Sequence, residues 1–157
     1  MFMDQVRAPA VAGSFYPSDP GELKALLDKC FVSSPLGPKG TPSPSSQVIA
    51  GMVPHAGYAY SGPCAAHLYS CLDHSIQRII LLGVNHRGRG HRAALSPWDF
   101  WQTPFGMARV DEEANEFLQA RIAFLKRDAP AHAREHSIEV QVPFLQRVLG
   151  NFTFVPI

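Results

Sequence analysis

The sequence predicts an α/β domain, built as a mostly parallel sheet with helices on both faces. Two observations carry this expectation. Strand-like apolar runs alternate along the chain with segments of helical spacing. The run Arg78–Gly83, RIILLG, is continuously apolar after its first residue, as a parallel strand covered on both faces requires.

The elements follow in order. Residues 7–17, RAPAVAGSFYP, read as extended chain punctuated by Pro and Gly. Asp19 is a good N-cap, Pro20 suits the first helical position, and Glu22 can close a capping box. Leu23, Leu26, Leu27, Cys30 and Phe31 then recur at helical spacing and define one buried stripe. Residues 33–46 are so rich in Pro, Gly and Ser that the reading is an exposed, mobile loop. Val48–Val53 reads as a buried strand ending at Pro54-His55. Ser61 is placed to cap a second helix, with Pro63 in its first turn. RIILLG ends at Asn85-His86. Residues 93–110 gather Trp98, Phe100, Trp101 and Phe105 around a TPFG turn, which suggests a hairpin. Asp111 opens a third helix with Ala114, Phe117, Leu118, Ile122 and Leu125 on its apolar face. A fourth helix spans about 137–149, kinked by Pro143 and stopped by Gly150. Phe152–Ile157 reads as a further strand. A core-like strand at that point is the pattern of an incomplete domain.

Composition narrows the function classes. The 157 residues suit one domain, with 46% hydrophobic and 17% charged residues arguing for a folded core. Lys plus Arg number 14 against 13 acids, a formal charge of +1, so no global field draws the chain to nucleic acid or an anionic membrane. No apolar run approaches the roughly 18 residues of a membrane helix. The first seventeen residues lack a basic stretch followed by an apolar one, and Cys30, Cys64 and Cys71 form no CxxC pair. The reading is a cytoplasmic protein with reduced cysteines.

Two strand ends carry the candidate chemistry. VIAGMVPHAGY and IILLGVNHRG each deliver a histidine, His55 and His86, followed within two residues by glycine. In an open α/β sheet the ligand sits beyond the carboxyl ends of the strands. If the two strands are neighbours, both imidazoles face one crevice, and neutral imidazole is a common ligand of Fe, Zn and Cu. The bland alternative is two histidines that bond nearby carbonyls. His136, in REHSIEVQVPF, lies beside Glu135 and Glu139 at helical spacing and suits an acid–base group or a partner that orients a ligand. His67, His74, His91 and His132 are read as structural. The loop NHRGRGHR presents Arg87, Arg89 and Arg92, which suit a carboxylate or phosphate but more simply form a solvated loop. No P-loop, GxGxxG, GxSxG or zinc-ribbon spacing is present.

Five ordered blocks, RAPAVAGSFYP, PHAGYAYSG, LLGVNHRG, W-x-TPFG and EHSIEVQVPFLQ, resemble those of the MEMO family. Its bacterial and archaeal members are often called AmmeMemoRadiSam system protein B. The resemblance implies a fold similar to class III extradiol non-haem iron dioxygenases of the LigB type. It implies that the metal-site histidines fall on His55 and His86 and that His136 lines the same pocket. It also implies that only the N-terminal part of the family's length is present. The third metal position, a cysteine or a variant of it, would lie beyond Ile157.

Two functions from different classes follow. One is a metal-dependent, dioxygenase-like oxidoreductase holding Fe or Cu, with His136 as its acid–base residue. The other is a non-catalytic metal- or peptide-binding protein of signalling or redox regulation, since fold does not fix function. A hydrolase using metal-bound water is a weaker third. The expected partners are a small molecule or peptide, and a second copy of the chain.

Overall fold

The computed structural model describes residues 4–39 and 44–157. In chain order its strands are β1 (Val6–Arg7), β2 (Arg78–Leu81), β3 (Ala94–Leu95), β4 (Phe100–Thr103), β5 (Gly106–Val110), β6 (Lys126–Arg127) and β7 (Thr153–Pro156). Its helices are α1 (Pro20–Asp28), α2 (Tyr58–Tyr69), α3 (Glu112–Arg121), α4 (Ala129–His132) and α5 (Val142–Leu149). A π-helical turn, Lys29–Ser33, extends α1, and a 3-10 turn, Glu139–Gln141, precedes α5.

The main sheet has the order β1-β4-β5-β7-β2. Only β4 and β5 are antiparallel within it, as the hairpin expected around the TPFG turn; the other pairings are parallel. A second, two-stranded sheet pairs β3 with β6. The alternation of a strand explains why helices cover both faces. Phe154 packs into the large cluster with Leu23, Leu27, Tyr58, Tyr69 and Phe144, while its neighbour Val155 packs with Leu95, Leu125 and the α3 residues Ala114 and Leu118. No helix of the described residues is long and apolar enough to cross a membrane.

Local signals read from sequence hold at several ends. Asp19 accepts from the Glu22 backbone N–H at 2.8 Å, with Pro20 first in α1. Asp111 caps α3 through the Ala114 N–H at 2.9 Å. Gly150, at φ +70°, ends α5 in a conformation that disfavours any side chain.

Other expectations need correction. Val48–Val53 forms no ladder, and Ile49 and Met52 lie almost wholly in solvent. A strand needs a paired neighbour as well as an apolar sequence, and no described strand pairs with this segment. RIILLG is a parallel strand but lies at the sheet edge, with Ile80 more than half exposed. The second helix starts at Tyr58, and Ser61 sits inside its first turn, its hydroxyl bonded to Ala56 O. Pro63 is therefore inside α2. Pro143 does not kink a long helix; it occupies the first turn of α5, where its missing N–H is harmless. The third helix ends at Arg121, before Ile122 and Leu125, and Phe117 faces solvent beneath the Arg121 guanidinium. In the 33–46 loop, Ser34 and Gly37 are buried against the end of α1, while residues 40–43 lie outside the described residues.

Candidate metal centre

Three separate segments carry the site. His55 lies between Val48–Val53 and α2, His86 follows β2, and His136 follows α4. Their side chains converge. His55 Nε2 and His86 Nε2 are 3.2 Å apart, and one ring nitrogen from each of His55, His86 and His136 falls within 4.8 Å of the others. His86 and His136 rings lie nearly parallel at 4.7 Å between centroids, and Phe15 packs on His136 at 4.6 Å. His86 is exposed and the other two are half-buried, so the cluster opens to solvent.

The fold explains the convergence segment by segment. Ahead of His55, Pro54 O accepts from Gln141 Nε2 at 3.1 Å. Behind it, the Tyr58 N–H donates to Phe15 O at 2.8 Å, tying the start of α2 to the GSFYP turn. Ahead of His86, the Ser137 hydroxyl accepts from Val84 N at 3.0 Å and donates to Val84 O at 3.2 Å. Gly83 backs directly onto this turn, since a Cβ there would lie 2.6 Å from Ile138 Cγ1.

The segment carrying His136 is held by two carboxylates of opposite function. Glu135 accepts from the backbone N–H groups of His86, His136 and Ser137 and lies 2.9 Å from His86 Nδ1. Burial alone would raise its pKa, but these bonds outweigh it and bring the carboxyl down to about 2. Glu139 faces the other way, into a buried network with Arg7 Nη1, the Ala10 and Val11 N–H groups and the Tyr16 hydroxyl. Burial first, and then the Glu139 charge, push the Tyr16 phenol far above its ordinary value. For His136, desolvation is the main cause of a lowered pKa, helped by His86 and His55 and opposed by Glu135. The lowered value favours the neutral ring.

All three predicted site residues thus meet, although only His86 follows a paired strand. Arg87, Arg89 and Arg92 are exposed, as the solvated-loop reading expects. His132, read as structural, is buried at 2.9 Å from Ala94 O. Glu135 was underread: its spacing to Glu139 suggested one shared helix face, whereas the chain there is a turn. The buried Arg7 was also missed, although a lone basic residue opening an apolar extended segment was visible.

The donor set suits a transition ion. Neutral imidazoles are its preferred nitrogen ligands, and a 3.2 Å gap between two nitrogens suits adjacent ligands at roughly 2.0–2.1 Å from one ion.

Comparison with known proteins agrees with the blocks seen in the sequence. A family model described as "Memo-like protein" matches residues 7–157. A MEMO1 family protein of Methanopyrus kandleri is 45% identical over 157 residues, covering 96% of this chain and 55% of its own length. MEMO1 family proteins of Thermotoga neapolitana and Sulfolobus acidocaldarius are 42% and 44% identical, each over 97% of this chain and 57% and 56% of their own. The chain spans somewhat over half the length of these curated relatives. With the match running almost from end to end, this chain belongs to the Memo family.

Proposed function

We propose that the histidine cluster is the metal centre of an oxidoreductase, with His55 and His86 holding one Fe or Cu ion and His136 moving protons beside it. The observation that carries this reading is the convergence of three imidazoles from three distant segments within 4.8 Å. A bound ion of this kind supplies Lewis acidity and one-electron chemistry at its open positions. The remaining roles belong to the chain. The exposed side of His86 leaves room for a small molecule. The neutral His136 ring can accept a proton from that molecule, and Phe15 shields one face of the ring from water.

The same openness favours a second reading, in which a small molecule or peptide is held at the ion without turnover. Elemental analysis of the purified protein, combined with oxygen uptake on catechols, separates the two. The expected result is about one metal per chain in the wild type, its loss in His55→Ala and His86→Ala, and its retention in His136→Ala. Oxygen uptake should fall ~10²-fold or more in His136→Ala, the usual scale of a lost acid–base group. Full metal without uptake on any catechol would favour the binding reading. Metal lost from His136→Ala would make His136 a ligand and overturn its proton role.

A further inference from the structure

We infer that Glu135 is a positioning residue of this centre, holding the His86 ring with Nδ1 protonated and the bare Nε2 turned toward His55. The inference deepens the metal reading and rests on it for its purpose, though not for its geometry.

The argument is a count of donors. Three of the groups around the Glu135 carboxylate are backbone N–H groups, those of His86, His136 and Ser137, at 2.8–2.9 Å. Amide N–H groups only donate, so together they make a site for an anion. A carboxylate buried among such donors, each N–H pointing its hydrogen at an oxygen, is held in its ionised form. An ionised carboxylate only accepts. The fourth partner, His86 Nδ1 at 2.9 Å from Oε1, must therefore bring the hydrogen. His136 Nδ1 is a weaker competitor for the same oxygen, at 3.5 Å.

The consequence for the other side of the ring is direct. A neutral imidazole carries one N–H, so His86 Nε2 keeps its lone pair. Its neighbour at 3.2 Å is His55 Nε2, which must then donate. The two ligands are thus unequal before metal arrives. His86 is already in the tautomer that binds an ion, while His55 holds its proton in the space between the nitrogens. To hold an ion beside His86 through Nε2, His55 would have to carry its proton at Nδ1 instead. Carboxylates placed behind ligating histidines raise metal affinity by fixing the ring in this way.

The test uses nitrogen-resolved NMR of the metal-free protein, together with anaerobic Fe(II) titration of the wild type, Glu135→Gln and Glu135→Ala. Wild-type His86 should show a protonated Nδ1 and an unprotonated Nε2, with the opposite pattern at His55. Glu135→Gln keeps an acceptor oxygen and should keep the His86 tautomer. Glu135→Ala should release the ring to a mixture of tautomers and weaken Fe(II) binding by ~10–100-fold. Protonated Nε2 at His86 in the wild type would overturn the inference. So would unchanged His86 tautomers and Fe(II) affinity in a folded Glu135→Ala. Should Glu135→Ala fail to fold, the wild-type and Glu135→Gln spectra decide. A wild type that shows the expected tautomers yet binds no Fe(II) or Cu would sink the metal reading and leave the role of Glu135 intact.

Discussion

Arg7 and Glu139 form an ion pair at 2.8 Å with both side chains 1% exposed. The guanidinium also donates to His132 O and Glu135 O and lies 4.1 Å over the Trp101 ring. One side chain near the start of the described chain therefore fixes the segment that carries Glu135 and His136. Removing Arg7 strands a buried carboxylate, which costs about 3–5 kcal/mol. Arg7→Ala should lower the unfolding free energy from urea melts by about that amount, seen as a lower midpoint at an unchanged slope. Arg7→Lys should recover little of it, because an ammonium cannot replace the planar fork that reaches three acceptors. Near-wild-type stability for Arg7→Ala would refute the assignment.

Acid should weaken the fold in two ranges. Burial holds the His132 pKa below its ordinary value, so its contribution is complete above about 6.5, the unfolded value, and is lost as pH falls through the lower folded one. Glu135 goes from an ordinary 4.5 to about 2, so its contribution is complete above 4.5 and is lost as pH falls toward 2. Denaturant melts against pH should therefore show stability falling below neutrality and again below pH 4.5. Glu135→Gln should flatten the lower range alone. An unchanged slope there would contradict the role of these hydrogen bonds.

Gly83 offers a test that touches no candidate ligand. An added Cβ would meet Ile138 Cγ1 at 2.6 Å and the Ser137 hydroxyl at 2.8 Å, forcing the strand end away from the 135–138 turn. Gly83→Ala should weaken metal binding at least ~10-fold through the altered His86–Glu135 contact, while unfolding at a temperature within several degrees of the wild type. Isothermal titration with Fe(II) measures the first and calorimetry the second.

Exposed apolar side chains gather at the β2 edge and in the unpaired 48–53 segment. Ile49, Met52, Ile80, Leu82 and Val84 are all exposed, and no described strand pairs with the second side of β2. Open edges with apolar side chains template further pairing. Sedimentation velocity of this chain should show association that grows with concentration. Ile80→Lys and Leu82→Lys together should reverse it. A wild-type monomer throughout the accessible range would show the edge to be inert.

Three helix ends were legible because their caps are local: Asp19, Asp111 and Gly150 each act within one turn. The histidine meeting was legible because His55 and His86 each follow an apolar run and are each followed within two residues by glycine. What escaped sequence reading depends on distant partners. The apolar pattern of Val48–Val53 states what the segment could bury, but not that a neighbour is there to pair with it. RIILLG states a strand, but not that it lies at an edge. Arg7 and Glu139, 132 positions apart, carry no local sign of each other, and Glu135 gains its role only when the β2 end is brought beside it.

The place of β7 in the sheet order has a consequence for how the chain folds. Thr153–Pro156 joins β2 on one side and β5 on the other, with Arg78 and Arg109 both in register with Thr153. The β4–β5 hairpin closes over a short loop, but β2 waits for a partner some seventy residues downstream. Contacts that distant carry a large loop-closure cost and slow folding. While the chain is being synthesised, RIILLG emerges well before Thr153–Pro156 and stays without this partner until that strand arrives, which is the interval when chaperone capture or misassembly competes with pairing of β2 and β7.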